Sequence, residues 1–213
     1  MIHSLRSMKT SGRFCGAVVI LALTFGACRF RDGGGAAYQP AEGDVAFQSL
    51  AHNPLIDAIE GATESPFSHC GILHRTGAGW VVVEAIGPVK ETALAEWIAQ
   101  GRRQRYAIYR LNDRYRGKIP AFIRAAQSYA GRPYDIHYDL DDEAIYCSEL
   151  IYKAFERSTG ERLGKLQKLG ELKWQAHAQV IREIEGGKLP LERVMITPRS
   201  VSEAPQLTKV FER

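Results

Sequence analysis

The feature that most limits how this chain can fold is a pair of β-rich runs within residues 68–86, separated by a short segment that contains glycine. Such a pattern predicts an antiparallel β-hairpin. With Thr76 and Gly77 as the two turn residues, His69 pairs directly with Glu84. The hairpin therefore predicts a histidine beside a carboxylate on one face of a sheet, a pairing that a one-residue slip in register would break.

A second informative stretch runs from Ile145 to Phe155 and has the apolar spacing of an amphipathic helix. Cys147 lies at its start, on the apolar face. Backbone N–H groups and the helix dipole favour a negative charge there, so the pKa of a thiol can fall from about 8.5 towards neutrality. The alternative is an inert cysteine packed in the core.

Length and charge exclude several classes of protein. A chain of 213 residues suits one ordinary domain and is cramped for two. The formal net charge of +4 comes mostly from Arg6, Lys9 and Arg13, so the rest of the chain is close to neutral. No basic stripe remains that would favour binding to nucleic acid.

The first 28 residues are typical of a signal peptide, because basic residues precede the short apolar run Ala17 to Phe25. The small residues before Cys28 are similar to the bacterial lipobox, although Phe25 stands where leucine is usual. We expect lipidation of Cys28, which would anchor the exported protein in the bacterial envelope, facing the periplasm. The alternative is an ordinary cleaved signal peptide with Cys28 incidental. Residues 29–40 are expected to form a flexible tether.

The remaining residues, 41–213, are expected to form a single domain without internal repeats. Besides the hairpin and the cysteine helix, the patterns predict a first strand after Asp44, a short helix in the loop 49–68, helices over 91–100, 120–129 and 171–185, and strands over 106–111, 194–198 and 207–211.

Cys147, His69 and Glu84 are the three residue types that a thiolate nucleophile requires, namely nucleophile, base and a group that orients the base. Each is weak evidence alone, since a histidine on a strand is more often structural and a glutamate on a strand is usually solvated. Together, with the predicted cross-strand pair, they favour a cysteine hydrolase.

Five motifs in order extend this interpretation: Gly43-Asp44, Ser68-His69-Cys70-Gly71-Ile72, Val83-Glu84-Ala85, Gly131-Arg132-Pro133-Tyr134-Asp135 and Tyr146-Cys147-Ser148-Glu149-Leu150, followed by Thr197-Pro198. In this order the sequence resembles the permuted papain-like amidases of the YaeF/YiiX type, within the NlpC-like papain superfamily. The resemblance covers Gly43 to about Phe211.

The resemblance implies an α+β fold, a circularly permuted papain-like (NlpC-like) domain in which a small antiparallel β-barrel or sheet packs against the nucleophile helix. It makes Cys147 the nucleophile, His69 the general base and Glu84 the residue that orients the histidine. It also implies an acyl-enzyme intermediate, with the backbone N–H of Cys147 as one oxyanion donor.

The resemblance also implies that Tyr134, Asp135 and Tyr146 contribute to substrate binding, although an aspartate that only caps its loop is equally compatible with the motif. Cys70 departs from the family pattern, where a small apolar residue is expected. Because neighbouring strand residues point to opposite faces, we expect Cys70 to face away from Cys147 and no disulfide to join them.

Three functions remain open. The first is an envelope amidase or peptidase that acts on small peptides or N-acyl amides. The second is an acyltransferase or a lipid deacylase on the same fold, for which an apolar cleft wall from residues 50–67 would be the structural sign. The third is a binding module without catalysis. No cofactor and no metal are expected, since the acidic run 139–143 lacks the pattern of an EF-hand loop and no zinc-ligand spacing occurs. The sequence does not determine the oligomeric state.

Overall fold

A computed structural model describes residues 38–213. The expected signal peptide, Cys28 and residues 29–37 of the tether lie outside this range, so those interpretations stay predictions. None of the helices between residues 38 and 213 combines the length and the apolar character needed to cross a membrane.

The described residues form a mixed α+β structure. Its strands are β1 (Val45–Gln48), β2 (His69–Thr76), β3 (Gly79–Ala85), β4 (Val89–Ala93), β5 (Tyr106–Leu111), β6 (Gln167–Lys168), β7 (Val194–Met195) and β8 (Leu207–Glu212). Its helices are α1 (Pro54–Thr63), α2 (Leu94–Gln100), α3 (Ile119–Gln127), α4 (Cys147–Thr159), α5 (Ala178–Ile184) and α6 (Pro198–Ser202). Short 3₁₀ segments lie at Arg102–Gln104, Asp113–Lys118, Leu169–Glu171 and Trp174–His177.

Six strands form one antiparallel sheet in the order β4-β3-β2-β1-β5-β8, and β6 and β7 form a separate antiparallel pair. Within residues 38–213, the edge strands β4 and β8 do not pair with each other, so the sheet is open. The predicted antiparallel sheet is therefore confirmed, and the option of a closed barrel was wrong.

Local sequence explains where the helix that carries Cys147 begins and ends. Tyr146 is extended and stands just before the helix, where its N–H donates to the Glu149 side chain at 3.3 Å. The helix ends at Gly160, whose φ of 79° is a left-handed conformation that glycine adopts without strain. The predicted start of this helix at Cys147 is confirmed, and the helix continues past the stretch 145–155 to Thr159.

The sheet buries side chains on both faces. One face, with Phe47, Cys70, Ile72, Val83 and Ala85, packs into the main apolar cluster together with α3 and α4. Because side chains alternate along a strand, the neighbouring residues project from the other face, against which α2 packs. This arrangement places His69 and Glu84 on the face opposite the main cluster.

The hairpin forms as predicted, but its register differs by two residues. Thr76 pairs with Gly79, so Gly77 and Ala78 are the turn residues, and Glu84 lies opposite Gly71 rather than His69. A shift of two keeps every side chain on its predicted face, because side-chain direction repeats every two residues. His69 and Glu84 are therefore diagonal neighbours on one face.

Two predicted helices were too long. The segment 89–93 continues the sheet as β4, where it pairs with β3, and the helix begins only at Leu94. The segment 171–185 is divided between 3₁₀ turns and the short α5, where Val180, Ile181 and Ile184 face a cleft.

Candidate active site

A chain of three buried side chains runs across the hairpin and onto β4. The His69 Nε2 lies 2.5 Å from Glu84 Oε2, and the Thr92 hydroxyl donates to Glu84 Oε1 at 2.5 Å. Burial alone would raise the pKa of Glu84, but the hydrogen bond from His69 lowers it. Glu84 is thus held as a carboxylate that orients the imidazole, and its contact with His69 confirms the predicted neighbourhood.

Thr92 is a partner that the sequence did not reveal. Interpreting residues 91–100 as a helix gave its side chain no relation to Glu84. No local signal located it, because the buried residues Val89 and Thr92 are three apart, a spacing that fits a helix as well as a strand.

The side chains on both sides of Cys147 are hydrogen-bonded to the backbone of Ile196, which belongs to a distant segment of the chain. The Ile196 N–H donates to the Tyr146 hydroxyl at 3.0 Å, and the Ser148 hydroxyl donates to the Ile196 carbonyl at 2.9 Å. These two buried hydrogen bonds fix the start of α4. They hold the Cys147 sulfur against the beginning of β2, where it lies 4.0 Å from the Ser68 carbonyl oxygen.

At that point the Cys147 thiol and the His69 ring interact. Burial would lower the pKa of His69, but hydrogen bonding to Cys147 and Glu84 raises it to about 9. A hydrogen bond from the Cys70 side chain, followed by that from His69, holds the pKa of Cys147 well below its ordinary value against the effect of burial. Because Nε2 faces Glu84, Nδ1 is the nitrogen left for the sulfur. The arrangement suits a thiolate–imidazolium pair.

Cys70 was expected to face away from Cys147, and this expectation was wrong. Its side chain lies in the same buried apolar cluster as Cys147, on the face that packs against α4. The reason is that the Cys147 sulfur lies beside the first residues of β2, where it is near both His69 and Cys70. Both thiols are free.

The predicted substrate-binding residues have different environments. Tyr146 is fully buried and its hydroxyl is used by Ile196, so the structure gives it a role in positioning the backbone. Tyr134 packs edge-on against Tyr138 with ring centroids 6.3 Å apart. Asp135 is buried; its Oδ1 accepts the His137 N–H at 2.8 Å, whereas Oδ2 has no hydrogen-bond partner among the described residues.

A cleft begins at Cys147 and Ser68 and contains about 760 Å³ of empty space, part of it open to solvent. Its walls are almost entirely apolar. They come from α1, from α5 and from the segment around β7, and the main contributors are Leu55, Ala58, Ile59, Ala62, Leu169, Leu172, Val180, Ile181, Ile184, Met195 and Ile196.

The charged residues that line this cleft neutralise one another. Arg193 donates to Glu185 and to the His137 carbonyl, and its Nε lies 3.0 Å from Asp139 Oδ1. The apolar wall from residues 50–67 that would be the structural sign of a lipid substrate is present and comes from α1. Tyr134 and Asp135 are not among the lining residues.

Comparisons with known proteins agree with this geometry. Residues 39–211 match the model of a family described as permuted papain-like amidase enzymes, YaeF/YiiX, C92 family. The chain is 36% identical over 181 residues to the protein YiiX of Escherichia coli (strain K12), which covers 82% of this chain and 87% of YiiX. A crystal structure described as the metalloprotein YiiX from Escherichia coli O157:H7 superposes with a TM-score of 0.77 at 35% sequence identity, covering 83% of this chain and 99% of that one.

The description of YiiX as a metalloprotein prompts a test of the donor groups present in this chain. Within residues 38–213, no three histidine, cysteine, aspartate or glutamate side chains converge in a way that would hold a metal ion. The Nε2 of His69 faces Glu84. The described residues therefore do not fit a metal centre.

Proposed function

Because the chain belongs to the family of permuted papain-like amidases of the YaeF/YiiX type, we propose that it is a cysteine amidase that forms an acyl-enzyme on Cys147. The observation that carries this proposal is the buried pair of His69 and Glu84, whose Nε2 and Oε2 lie 2.5 Å apart, together with the Cys147 sulfur, which lies 4.0 Å from the carbonyl oxygen of Ser68, the residue before His69.

The proposed reaction uses these groups in sequence. The Cys147 thiolate attacks the amide carbonyl carbon, and the His69 imidazolium gives its proton to the leaving amine as the C–N bond breaks. A water molecule then gives a proton to His69 and attacks the thioester. This step releases the carboxylic acid and restores the Cys147 thiolate and the His69 imidazolium. The N–H of Cys147, the first residue of a helix, lacks an intrahelical carbonyl partner and is suited to the oxyanion.

The cleft supports an N-acyl substrate within this proposal. An acyl chain that enters from Cys147 would lie against Ala58 and Ile59 of α1 and against Ile181 of α5. Each buried methylene contributes roughly 0.8 kcal/mol, so longer chains gain affinity until the cleft is filled. Charged cell-wall peptides would find few polar partners there.

An activity series tests the proposal directly. The purified protein is incubated with N-acyl amino acids whose acyl chains lengthen in steps, and amine release is measured. We expect kcat/KM to rise with chain length and turnover to vanish in Cys147→Ala. Unchanged covalent labelling of Cys147→Ala by a thiol-directed amide probe would disprove the assignment of the nucleophile.

The same apolar cleft favours a second candidate, acyl transfer or lipid deacylation. Both reactions pass through the same thioester, and they differ in whether water or another nucleophile takes the acyl group. Phospholipid vesicles supply the test: release of fatty acid, or transfer of the acyl chain to an added amine, at a rate above that of N-acyl amino acids would favour this candidate over amide hydrolysis. If Cys147→Ala folds and binds the same substrates but no condition yields turnover by the unaltered chain, the non-catalytic alternative applies.

We further propose that the protein is exported and lipid-anchored through Cys28, in the envelope of a bacterium. The order of basic residues, apolar run and small residues before Cys28 supports this location. Radiolabelled fatty acid should be incorporated into the full chain and lost in Cys28→Ser. Incorporation that persists in Cys28→Ser would contradict the anchor.

A further inference from the structure

A second pocket lies beside the turn that joins α2 to β5. It contains about 1090 Å³ of empty space, part of it open to solvent, and it shares no lining residue with the apolar cleft. Arginine side chains are prominent in its lining, namely Arg102, Arg103, Arg105 and Arg213. The proposed reaction gives this pocket no task, so its charge calls for a separate explanation.

The arginines of the turn differ in what their guanidinium groups contact. Arg102 is held by the Glu60 carboxylate at 2.7 Å and by the Ser49 hydroxyl at 2.8 Å, so its charge is already compensated and it forms part of the wall. Arg103 and Arg105 are exposed, and their guanidinium groups make no hydrogen bond or ion pair with the part of the chain that the structure describes.

Two other charged or ionisable groups of the lining already have partners. The Glu212 carboxylate lies 2.6 Å from Lys209 Nζ, and the His52 Nδ1 lies 2.6 Å from Asp57 Oδ1. Neither acid is therefore bonded to the arginines of the turn. The pocket keeps two uncompensated guanidinium groups, which is the charge that an anion requires.

A buried amide without partners lines the same pocket. Gln48 is the last residue of β1 and is 1% exposed, and neither Oε1 nor Nε2 of its side chain has a hydrogen-bond partner among the described residues. A Cβ on Gly101 would lie 2.4 Å from Gln48 Oε1, so the amide lies against the residue that begins the turn. Leaving a buried polar group unpaired is costly, and a ligand that accepts from Nε2 would remove part of that cost.

We propose that this pocket binds a phosphate group through the guanidinium groups of Arg103 and Arg105 and the Nε2 of Gln48. Guanidinium groups donate paired hydrogen bonds to phosphate oxygens, and the amide adds a neutral donor. Pro66 and Phe67 add apolar surface to the lining, which suits the organic part of a phosphate ester. A lipid headgroup and a soluble phosphate ester share this chemistry. The inference goes beyond the proposed function, because it uses none of the reacting groups.

Titration calorimetry of the full chain with inorganic phosphate tests the arginines. In a double variant, Arg103→Gln with Arg105→Gln, we expect affinity to fall by at least about tenfold, since two hydrogen bonds to a charged group are lost. Both positions are exposed, so the double variant should fold. Cys147→Ala should bind phosphate as the unaltered chain does, which keeps this result separate from the fate of the proposed function.

Arg124→Gln is the matched control. Arg124 is an exposed arginine of α3 that does not line the pocket, so its loss changes the net charge by the same unit without touching the site. We expect phosphate affinity to be unchanged in this variant. Absence of saturable binding by the unaltered chain, equal affinity in the double variant, or an equal loss per charge in Arg124→Gln would overturn the proposal.

Gln48→Met separates binding from a merely structural role. Methionine has a similar length but no amide, so the phosphate-free protein should melt at the same or a higher temperature, because an unpaired buried group is removed. Phosphate affinity should fall in the same variant. A lower melting temperature together with unchanged phosphate affinity would show that Gln48 serves only the fold, and the proposed site would lose its buried donor.

Two further ligands distinguish the source of the phosphate. The full chain is sedimented with phosphatidylglycerol vesicles and is titrated with glycerol 3-phosphate. A loss of sedimentation in the double variant that exceeds the loss in Arg124→Gln would assign the site to a lipid headgroup. A loss confined to glycerol 3-phosphate would assign it to a soluble ester. If the double variant retains full binding to both ligands, the phosphate site is disproved.

Discussion

His69 and Glu84 are joined by a 2.5 Å hydrogen bond although they are not directly paired in the hairpin. Glu84 lies opposite Gly71, two residues along the strand from the histidine. Since glycine has no side chain, the carboxylate can lean across the empty position and reach the Nε2 of His69. The contact between base and orienting residue therefore depends on Gly71 as well as on its own members.

We expect Gly71→Ala to damage both stability and activity. A Cβ at this position would lie 2.4 Å from Val82 Cγ1 and 2.9 Å from the Val83 carbonyl oxygen, and the carbonyl belongs to the sheet backbone and cannot move freely. Overpacking of this kind costs about 1–3 kcal/mol of the free energy of unfolding. Urea denaturation measures the loss. Gly77→Ala in the turn of the same hairpin is the control, because a Cβ there meets nothing within 4 Å. Equal stabilities of the two variants would contradict the packing argument.

Thr92→Val should reduce kcat/KM without large unfolding. Valine matches threonine in shape but leaves the buried Oε1 of Glu84 without the 2.5 Å hydrogen bond that it now accepts. Leaving a buried acceptor without its hydrogen bond costs about 1–3 kcal/mol. Because Glu84 would then orient His69 less well, we expect kcat/KM to fall by about tenfold. Thr92→Ser restores the hydroxyl and should recover most of the activity. Full activity in Thr92→Val would show that Glu84 does not need this donor.

The pH dependence of kcat/KM should be bell-shaped. Activity appears as pH rises through the lowered pKa of Cys147, where the thiolate forms, and it declines as His69, whose pKa is raised to about 9, loses the proton that the leaving amine requires. Glu84→Gln removes the carboxylate that helps to raise the pKa of His69, so its alkaline limb should move to lower pH. If the alkaline limb is unchanged in Glu84→Gln, that limb does not report the ionisation of His69.

The carboxyl of Glu149 should make the protein less stable as pH rises towards neutrality. Burial raises its pKa to about 7, and the ion pair with Lys153 offsets this only in part. The folded protein therefore holds this proton more tightly than the unfolded chain, so the stabilisation is complete below about pH 4.5 and is lost as pH rises through about 7. Urea midpoints at several pH values should decline less in Glu149→Gln. Glu156→Gln, at a partly exposed position of the same helix, serves as the control and should keep the original slope.

The parts of the fold that could be predicted are those in which the local pattern and the tertiary environment agree. The helix that begins at Cys147 has an apolar face, a capping glutamate and a terminal glycine, and it starts where the sequence predicted. The segment 89–100 was misassigned because Glu91, Ala93 and Leu94 are all acceptable in a helix. What makes residues 89–93 a strand is pairing with β3, which local propensity does not report.

By itself the sequence determined which residue types could form a nucleophile, a base and an orienting carboxylate, and the alternation of the hairpin placed His69 and Glu84 on one face whatever the exact turn. Only the tertiary structure decided the register that sets Gly71 opposite Glu84, the donation from Thr92 and the burial of Cys70 in the same cluster as Cys147. The physical reason is that face parity is a local property with a period of two residues. The contacts of a side chain at the end of a strand depend instead on where a helix from about sixty residues further along the chain is anchored, here by the hydrogen bonds of Ile196 on both sides of Cys147.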